Sequence, residues 1–197
     1  MKQLLLTMLL GLFTQPITSL TIGSTIPLAN EKMTDVISGK DVSIQNAVRE
    51  NGVLVMFSCN TCPYVIRNQQ RTKEINQYAL DNKIGVIVIN SNEAQRDDAD
   101  SYNAMKQYAA QQQYAWYYTV DKNSNIANAF GATRTPEVFL FNKKGILVYK
   151  GAIDDNPSDA NNVTRKHLKL AIDEMLGGKA VSVTESKSVG CTIKRVS

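Results

Sequence analysis

The sequence predicts an α/β fold in which a mixed central sheet is flanked by helices, behind an N-terminal extension. Short apolar runs rich in β-branched residues occur at 53–57 and 84–89, as is typical of strands buried inside a sheet, and an antiparallel hairpin begins with a strand at 137–141. The chain has 197 residues, of which 43% are hydrophobic and 20% are charged, and these values suit one well-packed domain. The composition therefore argues against a disordered chain and against several domains of ordinary size.

The predicted elements follow the order β-α-β-α-β-α-β-β-α, after short strands and a short helix within residues 20–51. The first three are a strand at 53–57, a helix from Cys62 to Leu80 with Pro63 in its first turn, and a strand at 84–89. They form a βαβ unit with a right-handed crossover. The later elements are a helix at 97–112, a strand at 116–120, a helix at 124–130 ended by Gly131, a hairpin of strands at 137–141 and 146–150, and a helix at 164–176. The parallel part of the sheet thus precedes an antiparallel hairpin, and a polar tail follows the last helix.

The N-terminal residues 1–19 have the pattern of a secretory signal peptide. Lys2 precedes an apolar run at 4–13 that is too short to anchor the chain across a bilayer, and Pro16 and small residues follow. We expect cleavage near Ser19, a periplasmic or secreted domain at 20–197, and no stable membrane insertion. Disulfides persist in that environment. The net charge of +4 is scattered along the chain, which predicts no nucleic-acid partner.

The predicted chemistry lies in Cys59 and Cys62. They follow a buried strand at its carboxyl end and open a helix, a position where α/β sheets place reactive groups. We expect the Cys59 thiol to be exposed, with its pKa lowered below about 8.5 by the helix N-terminus and its amide donors. Cys59 would then be the attacking nucleophile, and Cys62 the thiol that resolves a mixed disulfide with the substrate.

Two other roles for these cysteines compete with exchange chemistry. A structural disulfide between residues three apart closes a small loop and stabilises a fold little. A zinc site would use the three cysteines and the single histidine, His167, but Cys191 and His167 lack the paired spacing of zinc ligands. We therefore predict no metal and no cofactor. For Cys191, a buried residue that pins the tail, a third redox thiol and an intermolecular bond stay open.

A second group of candidate residues, Thr135 and Pro136, precedes the strand at 137–141. In a fold with an upstream pair of cysteines, we expect Pro136 to be a cis-proline that faces the thiols. It would hold the Thr135 backbone open for strand-like hydrogen bonds to an extended substrate segment, and keep a metal away from the dithiol. Glu137 is a candidate for proton transfer to the buried thiol, or else an ordinary charge at a strand edge.

Five stretches of the sequence are together similar to one known family. They are 56–65, 89–92, 131–132 with 135–141, 147–151 with 154–155, and 188–194. In this order they resemble the thioredoxin superfamily, and more closely the peroxiredoxin-like redoxin family grouped with alkyl hydroperoxide reductase and thiol-specific antioxidant proteins. The resemblance implies a thioredoxin-like fold and thiol redox activity.

The sequence departs from the pattern of these families at two positions near the cysteines. Between the cysteines stand Asn60 and Thr61, and Thr61 replaces an expected histidine, which predicts a less acidic Cys59 and a less oxidising pair. Val53 replaces the buried Asp that thioredoxins carry. Reduction of substrates is therefore favoured over their oxidation, and Asn60 and Thr61 are accessory candidates.

We predict an exported thiol–disulfide oxidoreductase that exchanges the Cys59–Cys62 pair with protein or small thiols. Its partners would be protein thiols or disulfides, or an electron donor in the periplasm or membrane. One alternative is a thiol-dependent peroxidase, but Val55 and Cys59 stand where the peroxiredoxin pattern implies a proline and a hydroxyl, and Arg134 alone offers a cation. The other is a redox-inactive module that binds extended peptides beside Pro136.

Overall fold

The computed structural model describes residues 19–196, so the predicted signal peptide lies outside the described residues apart from Ser19. The strands are β1 (Met33–Asp35), β2 (Asp41–Val42), β3 (Gly52–Phe57), β4 (Gly85–Asn90), β5 (Tyr117–Val120), β6 (Arg134–Thr135), β7 (Glu137–Asn142), β8 (Leu147–Gly151) and β9 (Cys191–Thr192). The α-helices are α1 (Ile44–Ala47), α2 (Pro63–Asp81), α3 (Tyr102–Gln111), α4 (Asn125–Phe130) and α5 (His167–Leu176). Short 3-10 turns cover Glu93–Gln95, Lys122–Ser124 and Ala160–Asn162.

Seven of these strands form the central sheet, in the order β2-β1-β5-β4-β3-β7-β8. Strand β3 has the parallel strand β4 on one side and the antiparallel strand β7 on the other. Strand β5 extends the parallel part beside β4, and β8 completes the antiparallel hairpin with β7. The predicted α/β fold with a mixed sheet and flanking helices is confirmed, and so is the order of its elements.

Separate apolar cores cover the two faces of the sheet. Along β3, Leu54 and Met56 belong to the core beneath α2, α3 and α5, whereas Val53 and Phe57 belong to the core beneath α1 and α4. All four side chains are fully buried. An uninterrupted apolar run is what a strand covered on both faces requires. Burial on both faces therefore holds β3 in place, and the cysteine that follows it starts from a rigid element.

Phe130, at the end of α4, anchors this helix to the sheet. Its ring meets those of Phe57, Phe139 and Phe141 edge to face, with centroids 5.4, 5.1 and 5.9 Å apart. Gly131 then ends the helix with φ of 64°, a left-handed conformation that glycine adopts without steric cost. The chain is thereby turned into the loop that leads to Thr135.

The structure differs from the sequence prediction mainly at helix starts and in the tail. Helix α3 begins at Tyr102 and not near residue 97, because the Ser101 hydroxyl caps it by accepting the backbone N–H of Ala104. The sequence predicted only a polar tail after the last helix, and within this tail β9 pairs with β6 in a separate two-stranded sheet. Among residues 19–196, no helix combines the length and apolarity needed to cross a bilayer.

Candidate functional site

Cys59 and Cys62 lie between the end of β3 and the start of α2. The N–H of Ser58 still donates to the carbonyl oxygen of Ile89 at 2.9 Å, so the chain leaves the sheet just before Cys59. Cys62 is the N-cap residue of α2 and Pro63 occupies its first turn, where a missing N–H costs no helical bond. The junction of strand and helix expected from the sequence is therefore the one observed.

Thr135 contacts both cysteines from across the site. Its hydroxyl oxygen lies 3.4 Å from Cys59 Sγ, and its carbonyl oxygen lies 3.3 Å from Cys62 Sγ. The Thr135–Pro136 peptide bond is cis, as expected. Both of these residues are buried. The structure thus brings together the four residues that the sequence singled out as the centre of the site.

The Cys59 side chain is only 2% exposed, so the expectation of an exposed thiol is wrong. It packs with Cys62 and Val65, while Tyr64 and the half-buried Cys191 lie against the same cluster. The physical reason is the C-terminal tail, for which the sequence predicted no strand and which instead lies over the site. Access to Cys59 from solvent therefore requires part of this cover to move.

Burial raises the pKa of the Cys59 thiol, and this is the largest effect on it. The Thr135 hydroxyl and the backbone N–H groups of Cys62 and Thr61 stabilise the thiolate, whereas the negative charge of Asp100 disfavours it. The lowered pKa expected from the helix N-terminus is therefore wrong: the amide donors are present, but desolvation outweighs them. At neutral pH, Cys59 is a neutral thiol in this state.

The disulfide in this structure joins Cys62 to Cys191, with their Cα atoms 6.0 Å apart, and Cys59 is a free thiol. The Cys59–Cys62 disulfide predicted from the sequence is thus not the one present. Cys191 reaches the site because β9 pairs antiparallel with β6, which places it opposite Thr135. Cys191 is therefore half-buried and bonded within the chain to one cysteine of the predicted redox pair, a partner that the sequence did not indicate.

The two residues between the cysteines differ in how firmly hydrogen bonds fix them. Asn60 donates its backbone N–H to Asp100 Oδ1 at 2.9 Å and its side-chain amide to the Ala99 carbonyl at 2.8 Å. Its Oδ1 accepts the Tyr118 hydroxyl at 2.8 Å. Thr61, in contrast, is exposed. Asn60 therefore fixes the turn between the cysteines, and Thr61 leaves one side of it open to solvent.

Glu137 and Arg134 support the loop and the tail. One oxygen of the Glu137 carboxylate accepts the backbone N–H groups of Thr133 and Arg134, at 2.8 and 3.0 Å. The Arg134 guanidinium donates to the Thr192 hydroxyl at 2.9 Å. These contacts commit Glu137 to shaping the loop before Pro136, so the proton-transfer role suggested by the sequence gains no support from them.

A buried carboxylate that the sequence analysis overlooked, Asp100, lies beneath the site. It is fully buried and accepts hydrogen bonds from the Asn90 side chain at 2.7 Å and the Asn92 side chain at 2.8 Å, in addition to the Asn60 amide. Val53 stands where thioredoxins carry a buried Asp, so that position is apolar here. Asp100, which lies just before α3, places a buried carboxylate near the cysteines instead. The sequence signal for Asp100 was the run of polar residues directly after β4. Once buried, these residues need hydrogen-bond partners, and a nearby acid can provide the acceptor.

The buried thiol predicts slow and strongly pH-dependent alkylation. We expect native Cys59 to react with iodoacetamide far more slowly at neutral pH than in the urea-unfolded chain. Because only the thiolate reacts and burial raises the pKa, the native rate should climb about tenfold per pH unit up to and beyond pH 9.0. Mass spectrometry of the Cys59 peptide measures this rate, with the unfolded chain as control. A plateau already reached near neutral pH would contradict the assignment.

Comparison with known proteins agrees with this architecture. The family model described as Redoxin matches residues 21–165. A conserved, uncharacterized protein from Geobacillus kaustophilus is 29% identical with a TM-score of 0.82, covering 89% of this chain and 93% of its own. A hypothetical protein from Sinorhizobium meliloti 1021 is 29% identical with a TM-score of 0.81, covering 91% and 97%.

A more distant structure shows the fold alone. It is a thioredoxin-like protein solved in its oxidized form, 18% identical with a TM-score of 0.61, covering 84% of this chain and 99% of its own. No curated protein matches the sequence.

Proposed function

The chain belongs to the Redoxin family, and we propose that it is an exported thiol–disulfide oxidoreductase that works through Cys59 and Cys62. The observation that carries this proposal is the position of Thr135, which contacts both sulfurs from the residue before the cis bond to Pro136. Two thiols at a helix N-terminus facing a buried backbone edge are what exchange with a substrate disulfide requires.

We propose that Cys62 forms the mixed disulfide with the substrate and that Cys59 resolves it. The sequence suggested the opposite order, but in the structure Cys62 is the sulfur bonded to a docked strand, while Cys59 keeps a free thiol in the same buried cluster. The Cys62 thiolate attacks a substrate disulfide and expels one substrate thiolate. The Cys59 thiolate then attacks Cys62 Sγ, releases the second substrate thiol and leaves a Cys59–Cys62 disulfide.

The reduced enzyme is regenerated in this proposal by an electron donor of the periplasm or membrane, and its substrates are protein thiols or disulfides. The N-terminal pattern of residues 1–19 supports export because it is that of a signal peptide, and protein disulfides form and persist in the oxidising compartments to which exported proteins go. Cell fractionation with mass measurement of the mature protein tests this part. A product that keeps Met1 and stays in the cytoplasm would contradict it.

Insulin reduction in the presence of a thiol reductant tests the exchange activity. We expect the wild type to accelerate it, and Cys59→Ser and Cys62→Ser each to lose the acceleration. Activity that is unaffected by both changes would contradict exchange through this pair, and a wild type that gives no acceleration would leave only peptide binding beside Pro136. Hydrogen peroxide consumption by the same three proteins tests the peroxidase alternative, since robust turnover that persists in Cys59→Ser would favour it.

Equilibration with glutathione buffers measures the reduction potential of the Cys59–Cys62 pair. This potential determines the direction of electron flow between the protein and its substrates.

A further inference from the structure

The C-terminal residues 188–194, the tail segment, lie on the backbone edge where an extended substrate was expected. Strands β6 and β9 pair antiparallel, with Thr135 opposite Cys191 and Arg134 opposite Thr192. The pairing continues as the N–H of Ile193 donates to the Thr133 carbonyl at 3.1 Å. The edge is therefore occupied by a strand of the same chain, and this strand carries a cysteine.

The fit of this strand depends on the residues that flank Cys191. A Cβ atom added at Gly190 would collide with the carbonyl group of Thr135, so no larger residue fits there without moving the strand. Two residues after the cysteine, Ile193 is 3% exposed and belongs to the apolar core beneath α4. The groove thus accepts a glycine just before the cysteine and an aliphatic residue two positions after it.

The far end of the tail segment is held by the loop and the 3-10 turn that follow β4. The Lys194 N–H donates to Asn92 Oδ1 at 2.9 Å, and the Lys194 carbonyl accepts the N–H of Ala94 at 2.9 Å. Asn92 also donates to Asp100, the buried carboxylate beneath the turn at Asn60. The strand is therefore bound by backbone and amide hydrogen bonds along its length, as peptides are that add a strand to a sheet edge.

We infer that the tail segment is an internal substrate strand and that Cys191 is a third redox thiol, an inference that rests on the proposed exchange at Cys59 and Cys62. In the structure, the Cys62–Cys191 bond corresponds to the proposed mixed disulfide between Cys62 and a substrate, with Cys191 in the place of the substrate cysteine. The Cys59 thiol loses its proton and attacks Cys62 Sγ. The Cys59–Cys62 bond forms, the Cys62–Cys191 bond breaks, and Cys191 leaves as a thiolate that takes up a proton. No net oxidation occurs, since one disulfide replaces another.

This isomerisation couples the redox state of the pair to access to the groove. While Cys191 is bonded to Cys62, the tail segment covers Thr135 and excludes other strands. Once released, it is held only by its hydrogen bonds and its apolar contact, and an external segment competes with it. The substrates are then extended protein segments in which a glycine precedes the cysteine and an aliphatic residue follows two positions later.

Disulfide mapping of the full chain tests the internal bond. Protein equilibrated in glutathione buffers is quenched in acid, alkylated, digested and analysed by mass spectrometry. We expect the wild type to contain both Cys62–Cys191 and Cys59–Cys62, and Cys59→Ser to contain only the former. Gly190→Val should lower the Cys62–Cys191 fraction about tenfold or more and keep the other bond, because the collision with Thr135 undocks the strand. The exposed residue Lys187 supplies a control, Lys187→Ala, that should match the wild type.

Kinetics with a peptide substrate test the competition. The probe is a synthetic peptide of residues 188–194 whose cysteine carries a glutathione disulfide. We expect Cys191→Ser to lower its KM about tenfold, because a tethered competitor at millimolar effective concentration is weakened once it is no longer covalently held. For a peptide that carries the Gly190→Val change, the Cys191→Ser variant should show no such decrease in KM.

Failure of the proposed function and failure of the internal substrate strand give different results. If insulin reduction does not depend on Cys59 and Cys62, the proposed function itself fails. If it does depend on them, but no Cys62–Cys191 bond forms in any glutathione buffer and Cys191→Ser leaves the peptide KM unchanged, the exchange activity stands and the internal substrate strand is overturned.

Discussion

Replacing Cys62 by serine is expected to reduce insulin reduction on the order of a thousandfold, to the rate of the uncatalysed background. The Cys62 sulfur is shared by two disulfides, the observed bond to Cys191 and the bond to Cys59 that closes the proposed cycle. A serine oxygen forms neither. The fold should survive, because the hydroxyl of the introduced serine can donate to the Thr135 carbonyl oxygen, which lies 3.3 Å from the disulfide-bonded sulfur.

Cys191→Ser is the matched control for this variant. Both substitutions remove the disulfide that links positions 129 residues apart, and on chain-entropy grounds this bond stabilises the oxidised protein by about 5 kcal/mol. Both variants should therefore lose similar stability in urea unfolding, whereas only Cys62→Ser should lose exchange activity. Insulin reduction that falls equally in both would show that stability, and not the Cys62 sulfur, limits the measured rate.

The sheet and its main helices were predictable because their signals are local. Strands β3, β4 and β7 each contain an uninterrupted apolar run of at least four residues, and Pro63 and Gly131 mark a helix start and a helix end. The start of α3 was less predictable, because a run of acidic residues just before it resembles a first helical turn. One of these residues, Asp100, instead turns inward to the asparagines after β4.

The site was predictable as far as the fold alone determines it. A fold with cysteines at the end of β3 and a proline before β7 brings Cys59, Cys62 and Thr135 together, because β3 and β7 are neighbours in the sheet. The position of Cys191 was not predictable, since strands of two residues carry no periodic pattern. Its pairing depends on contacts between residues far apart in the sequence, and the burial of Cys59 follows from the same contacts.

Removal of the Asp100 carboxylate is the second change for which we expect a large effect. Asp100→Ala removes the acceptor of three buried hydrogen bonds, from the Asn60 backbone N–H and from the side-chain amides of Asn90 and Asn92. The two amides keep one acceptor each, on Tyr118 and Gln95, whereas the Asn60 N–H keeps none. An unpartnered buried donor costs about 1 to 3 kcal/mol, so we expect the free energy of unfolding to fall by about 3 to 5 kcal/mol. Urea unfolding of the reduced protein measures this loss. Asp98→Ala removes an exposed carboxylate two residues away and should change stability little.

Asp100→Asn separates the charge of this side chain from its hydrogen bonds. The amide oxygen can still accept from Asn60 and Asn90, so most of the stability lost in the alanine variant should be retained. The negative charge that raises the pKa of Cys59 disappears, and the pKa should fall because the thiolate no longer faces a neighbouring carboxylate. Native Cys59 should then be alkylated faster at a given pH than in the wild type. Because exchange by Cys59 also requires its thiolate, a faster release of Cys191 from Cys62 should accompany that change. An unchanged alkylation rate would mean that burial alone sets the acidity of Cys59.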